Sequence, residues 1–150
     1  MHDKKKLIYN HLLSQLNIKI NTARVSVENA KESRNNETKS SAGDKHETGR
    51  AMSQIELENT EAQLNKILDQ VYQLSQISIS TKHNRVENGS LVKTTQGVYF
   101  IFLGVGKLEV NNEIFYSISL ASPIGMALHN KKIGENFHFQ GKQIEILDIV

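Results

Sequence analysis

Two carboxylates stand three positions apart in the stretch SSAGDKHETG, residues 40–49: Asp44 and Glu47. Two kinds of chemistry suit that pattern. Asp-x-x-Glu is a capping box, in which Asp44 would cap a helix and Glu47 would reach back from its first turn. An aspartate cap is worth about 1 kcal/mol. The same oxygens are also the hard donors that Mg²⁺ prefers, and Mg²⁺ commonly takes one or two carboxylates and completes its shell from substrate phosphates and water. A carboxylate engaged by backbone N–H groups is less free to bind a metal, although it keeps more than one acceptor site. His46 lies between the two acids, but on a helix neighbours point about 100° apart. No second histidine follows at zinc-site spacing either, so His46 reads as solvated. Lys39, Lys45 and Arg50 ring the stretch. They fit a solvated helix end, or contacts to RNA phosphates or to an acidic protein wall.

The elements that must position these residues differ between the halves of the 150-residue chain. Residues 1–78 hold no proline, and their glycines are Gly43 and Gly49 alone. Tyr9, Leu13, Leu16, Ile20, Ala23, Val27 and Ala30 recur at alternating spacings of four and three, a seven-residue apolar seam. Leu57, Thr60, Leu64, Ile67, Val71 and Leu74 repeat the pattern beyond the polar stretch. Each seam's economical partner is the other, which predicts an antiparallel helical hairpin with Asp44 and Glu47 at its polar end. Helices of about 30 residues would run roughly 45 Å. Pairing between copies is the rival arrangement.

Residues 89–150 hold the other glycines, the one proline and all five phenylalanines. GVYFIFLGV, residues 97–105, is nearly continuous apolar sequence and predicts a central strand covered on both faces. IFYSISL, residues 114–120, predicts a strand with Ile114, Tyr116, Ile118 and Leu120 on one side. Asn111-Asn112-Glu113 and Gln140-Gly141-Lys142 read as turns, the second closing a terminal hairpin. In SPIGMALHN, Ser122 can cap, Pro123 suits a first helical position, and Ile124, Ala127 and Leu128 form one face. The expected fold class is α+β: a hairpin arm over 1–78, a linker at 79–88, and a small antiparallel sheet with one short helix over 89–150.

Composition narrows the function classes. Apolar residues are 38% and aromatic residues 6%, which suits a chain with one elongated part that buries little. The absence of cysteine removes disulfide and thiolate chemistry. A net charge of +2 is too small to argue for nucleic-acid binding by itself. The apolar run behind the N-terminal lysines is short and broken by Asn10 and His11, so neither a signal peptide nor a membrane span is expected, and the expected location is the cytoplasm.

Two motifs then resemble one family. Ser122, Pro123, Ile124, Gly125, Ala127 and Leu128, followed by Lys131, Lys132, Ile133, Gly134 and Glu135, are similar to the S-P-[IL]-G-x-A-L and K-[KR]-[VI]-G-[DE] strings of the Gre transcript-cleavage factors of bacterial RNA polymerase. Gly43, Asp44 and Glu47 match that family's G-D-x-x-E-N hairpin tip, with Thr48 in place of the asparagine. The resemblance implies an arm that enters the polymerase's secondary channel and an Asp44–Glu47 pair that reaches the active centre. There the pair would help hold a second Mg²⁺ shared with the polymerase, and stimulate cleavage of the 3′ end of backtracked RNA. Asp44 would be the direct ligand, and Glu47 would support the metal or orient water. Two metals about 3.5–4 Å apart can activate water and stabilise both oxygens of an in-line displacement. A solvated Asp–Glu pair holds magnesium weakly without the polymerase's own carboxylates. The chain would therefore be an accessory factor rather than an enzyme, acting as a monomer with no membrane partner. The same family implies a second domain with the fold of the FK506-binding prolyl isomerases, without their activity. Related proteins of this architecture do not all cleave, so a channel regulator of initiation or pausing is the first alternative. A coiled-coil assembly protein is the second.

Overall fold

The computed structural model describes the backbone of residues 1–39 and 43–150, and the side chains of these except 37–39 and 43–46. Two long helices open the chain, α1 (His2–Lys39) and α2 (Gly43–Ser75). Proline is absent from both and the only glycines lie within the first seven residues of α2, so nothing in their interiors breaks them. Among the described residues, no helix is long and apolar enough to cross a membrane.

The chain forms two compact units, Met1–Leu12 with Leu74–Val150, and Leu13–Gln73. In the second unit α1 and α2 pair antiparallel. Val27 and Ala30 pack with Leu57, flanked by Leu64, and Arg34 Nη1 donates to Gln54 Oε1 at 3.4 Å farther along. Rising numbers in α1 thus face falling numbers in α2. Leu16, Ile20, Ala23, Val27 and Ala30 are buried as the seam requires, opposite buried Leu57 and Ile67, with Thr60 and Leu64 half-buried.

The seam departs from expectation in the first turns of α1. Ile8 and Leu12 are buried there, while Tyr9 and Leu13 are only half-buried. The buried positions run 8, 12, 16, 20 at spacings of four before the seven-residue rhythm starts. A spacing of four rotates the stripe about the helix, whereas 4-3 alternation keeps it facing one partner helix. The change falls where α1 passes from the unit containing the sheet into the helical pair.

The sheet unit contains β1 (Leu91–Thr94), β2 (Gly97–Ile101), β3 (Gly106–Val110), β4 (Glu113–Ile118), α3 (Pro123–Leu128), β5 (Asn136–Phe139) and β6 (Lys142–Ile149). Strand order is β3-β4-β2-β1-β6-β5. The α+β class is as expected, and four of the ladders are antiparallel. The sheet is nevertheless mixed, because β2 and β4 pair in parallel. The chain leaves β2, passes β4 and returns as the edge strand β3. Ser117 Oγ pins this crossing by donating to Leu103 O at 2.6 Å. Both predicted tight turns are present. Asn111 and Asn112 sit at φ 52° and 62°, and Gln140 and Gly141 at φ 50° and 76°, the paired left-handed conformations of two-residue hairpins.

One sheet face carries Val92, Ile101, Ile118, Ile146 and Ile149 against Leu128 of α3 and Val86. Val86 lies in the 79–88 stretch read as a linker. It is fully buried, and its N–H and C=O bond Lys131 O and Asn130 N. The opposite face is buried as well. Leu91 pairs with Phe100, and Leu108 with Phe115, all of them 7% exposed or less. The Phe115 and Ser117 side of β4, opposite the Tyr116 and Ile118 side picked from the alternation, is therefore interior too. While α3 lies on the first face, α1 reaches the second through an ion pair. Lys4 Nζ meets Glu113 Oε2 at 2.6 Å, and Glu113 shares its face with Phe115. Ile8, Leu12 and Leu74 are buried within the same unit.

Candidate functional site

Helix α2 begins at Gly43, which puts Asp44 inside its first turn and Glu47 one turn later. A capping box needs Asp44 just before the first helical residue. The helix starts earlier than that, and the backbone at Asp44 is already helical. Carboxylates in a first turn are favoured by the positive end of the helix dipole whether or not they cap. Positions i and i+3 share one helix face with Cβ atoms about 5–6 Å apart, close enough for two carboxylates to approach a common cation.

Glu47 and Arg50 are exposed. Lys39 is the last residue of α1, and Lys45 follows Asp44 on the first turn of α2. The side chains of Lys39, Asp44, Lys45 and His46 lie outside the described residues, as does residue 42, which precedes the helix. The backbone therefore gathers the five predicted site residues, Lys39, Asp44, Lys45, Glu47 and Arg50, at one end of the antiparallel pair. Among the described residues, no group of three or more histidine, aspartate or glutamate side chains could hold a metal ion. The Asp44–Glu47 donor set suits Mg²⁺ in kind, being all oxygen, and in number it calls for further ligands from elsewhere.

The SPIG string has a structural explanation. Ser122 caps α3: its Oγ accepts from Gly125 N at 3.1 Å and donates to Ser119 O at 2.7 Å, and Pro123 opens the helix. Gly125 is required for space, because a Cβ there would stand 2.0 Å from Ser119 O. In the K-K-I-G-E string, Glu135 N donates to Lys132 O at 3.1 Å, and the Glu135 carboxylate accepts from Lys132 N. Gly134 takes φ 85° while its N–H reaches Ile146 O at 2.8 Å. Lys131 places Nζ 5.7 Å from the Phe137 ring centroid. These residues build a cap, a turn and a docking point for β6.

Three features escaped the sequence reading. Lys5 is fully buried, its Nζ donating to Thr81 O at 3.2 Å, and burial pushes its pKa down. Its spacing from Ile8 and Leu12 was the available signal. His83 Nδ1 lies 2.7 Å from Glu87 Oε1, and that hydrogen bond is the main cause holding the Glu87 carboxyl below its ordinary range. The i,i+4 spacing is helical but the segment is not, so no helical pattern announced it. Tyr99 and Tyr116 stack at 5.6 Å across the parallel β2–β4 pair, and burial raises the Tyr99 phenol.

No family model matches the chain, and no curated protein matches it. Among solved structures, it is similar to that of the transcription factor Gfh1, at 17% identity and a TM-score of 0.37 over 91% of this chain and 92% of that one. An overlay this loose carries no argument, and the fold rests on the chain's own elements.

Proposed function

We propose that this chain is a transcription factor of the Gre type that binds bacterial RNA polymerase, inserts its helical hairpin into the secondary channel and stimulates Mg²⁺-dependent cleavage of backtracked RNA. The observation that carries this reading is the antiparallel pairing of α1 with α2 inside one chain, with α2 opening at Gly43 so that Asp44 and Glu47 fall at the polar end. The resemblance of that end to G-D-x-x-E-N, and of residues 122–135 to a second string of the same family, supports it.

In this reading Asp44 supplies a carboxylate oxygen toward the metal shared with the polymerase, and Glu47 supports it or orients the attacking water. The magnesium supplies charge stabilisation on the phosphodiester oxygens and lowers the pKa of water. Lys39, Lys45 and Arg50 meet RNA phosphates or the channel wall, and their long side chains favour approach by electrostatic steering. The chain alone is inert because two carboxylates leave most of a magnesium shell unfilled. The site of action is the cytoplasm, and one copy serves one polymerase.

The test is direct. Purified protein is added to stalled elongation complexes with Mg²⁺ and the transcript is sized. Shortened RNA that extends again on nucleotide addition supports the proposal. Intact RNA with altered synthesis supports the second reading, a channel regulator without cleavage, which Thr48 in place of the asparagine favours. Failure to associate with polymerase at all overturns both.

A further inference from the structure

Asn88 is the one asparagine in the chain that glycine follows, in the stretch VENGS, residues 86–90. That pair has a chemistry of its own. A backbone nitrogen can attack the amide carbon of the asparagine side chain before it, and glycine, having no Cβ, leaves the approach unhindered. The bond from Gly89 N to Asn88 Cγ forms as the Cγ–Nδ2 bond breaks. Ammonia leaves with the Gly89 amide proton, and a cyclic imide remains. Water then opens the ring at either carbonyl. One opening gives aspartate. The other gives isoaspartate, in which the main chain runs through Cβ and Cγ and is longer by an atom.

The fold offers one half of this reaction and withholds the other. Asn88 is exposed at a turn, whereas Gly89 is buried. The Gly89 N–H donates to the carbonyl of Ile101, a fully buried residue of β2, at 2.7 Å. Ile101 N donates in turn to Ser90 O at 2.9 Å, so β2 grips both residues that follow Asn88. Ser90 also braces the turn from within: its Oγ donates to Glu87 O at 2.7 Å and accepts from Glu87 N at 3.2 Å. A nitrogen whose proton is buried and bonded neither loses that proton to water nor swings toward the Asn88 side chain until the turn opens. The neighbourhood is tight as well. Gly89 holds φ 87°, and a Cβ there would stand 3.0 Å from Ile77 Cγ2. Ile77 follows α2, with its N–H on Leu74 O at 3.0 Å. A main chain lengthened at position 88 would disturb both the Ile101 bond and the approach to Ile77.

We infer that Asn88 is a latent modification site, closed by the Gly89–Ile101 hydrogen bond and converted irreversibly to isoaspartate or aspartate when the 87–90 turn leaves β2. The site thus records opening of this turn as a permanent new carboxylate. It lies wholly within the sheet unit and does not rest on the polymerase reading.

The experiment uses the full chain without polymerase. The protein is incubated at mildly alkaline pH, folded and in urea, and acidic species are separated by ion exchange and located by peptide mass. The unfolded chain should convert at Asn88 before any other asparagine, and the folded chain at least about tenfold more slowly. Amide hydrogen exchange should find the Gly89 proton protected in the folded chain. Ser90→Ala removes both hydroxyl contacts and should speed conversion of the folded chain several-fold. Asn88→Gln, at an exposed position, should melt as the parent does and yield no acidic species from this peptide. The purified isoaspartate form should melt below the parent. Equal rates in the folded and unfolded chains overturn the inference. So does an unfolded chain that converts elsewhere first, an unprotected Gly89 proton, or an isoaspartate form that melts as the parent does.

Discussion

The sheet unit and the helical pair hold themselves together in opposite ways. The sheet is buried on both faces: neighbours Phe100 and Ile101 point to opposite sides and both are fully inaccessible. The pair has one seam, two of whose buried members are alanines, and beyond Ala30 and Leu57 its described contacts turn polar, as Arg34 to Gln54 and Gln54 to Glu58. A fully buried large apolar side chain contributes about 1.5–3 kcal/mol and an alanine far less. The helix end that carries the exposed Glu47 thus lies in the unit with the thinner core.

Removing one large side chain from each region tests this contrast most strongly. Phe100→Ala should cost about 3–5 kcal/mol, as large aromatic truncations in cores do. Leu57→Ala should cost about 2 kcal/mol, at the low end for leucine, because a single seam collapses more readily around the gap. Urea unfolding followed by circular dichroism checks both, and equal losses would erase the distinction. Gly125→Ala comes next. Its Cβ would collide with a backbone oxygen, which must move, so about 3 kcal/mol is expected, at the top of the range for overpacking. The thermal melt reads it, and an unchanged melt would mean that α3 shifts freely.

Lys5 gives the smallest and most specific effect. Its folded pKa lies below the unfolded one, so the unfolded chain binds more protons between the two values. Lys5 therefore penalises folding at neutral pH, and the penalty fades as pH rises through the folded pKa toward the ordinary lysine value. Lys5→Met should flatten the rise of stability with alkaline pH that the parent shows. Parallel pH profiles for the two proteins would contradict the assignment.

Legibility followed whether a residue's environment is local. Asn111-Asn112 and Gln140-Gly141 announce their turns because only residues tolerant of left-handed backbone suit them. Ser122-Pro123 announces a helix start for a similar reason, and the seam from Leu16 to Ala30 was legible because both partners keep one period. What failed depended on distant partners. Tyr9 and Leu13 were placed in the seam because nothing local says that α1 meets a sheet before it meets a helix. The buried Phe115 side of β4 was passed over because IFYSISL offers two alternations, and Lys4 of α1, which reaches Glu113 on that side, lies more than a hundred residues away. The parallel β2–β4 pair comes from a crossing that short-range pattern does not encode. At the hairpin end the sequence supplied the residue types of the candidate site, and the backbone adds their place on the first turn of α2.

Asp44→Asn in the transcript-cleavage assay tests the central claim most directly. Asparagine keeps the size and one acceptor oxygen of the side chain and loses the charge that attracts magnesium. With the parent and variant proteins matched in helix content and melting, RNA shortening in stalled complexes should fall by at least about tenfold. Full cleavage by the variant, or a loss of cleavage that tracks an equal loss of helix stability, would contradict a metal-directed role for that carboxylate.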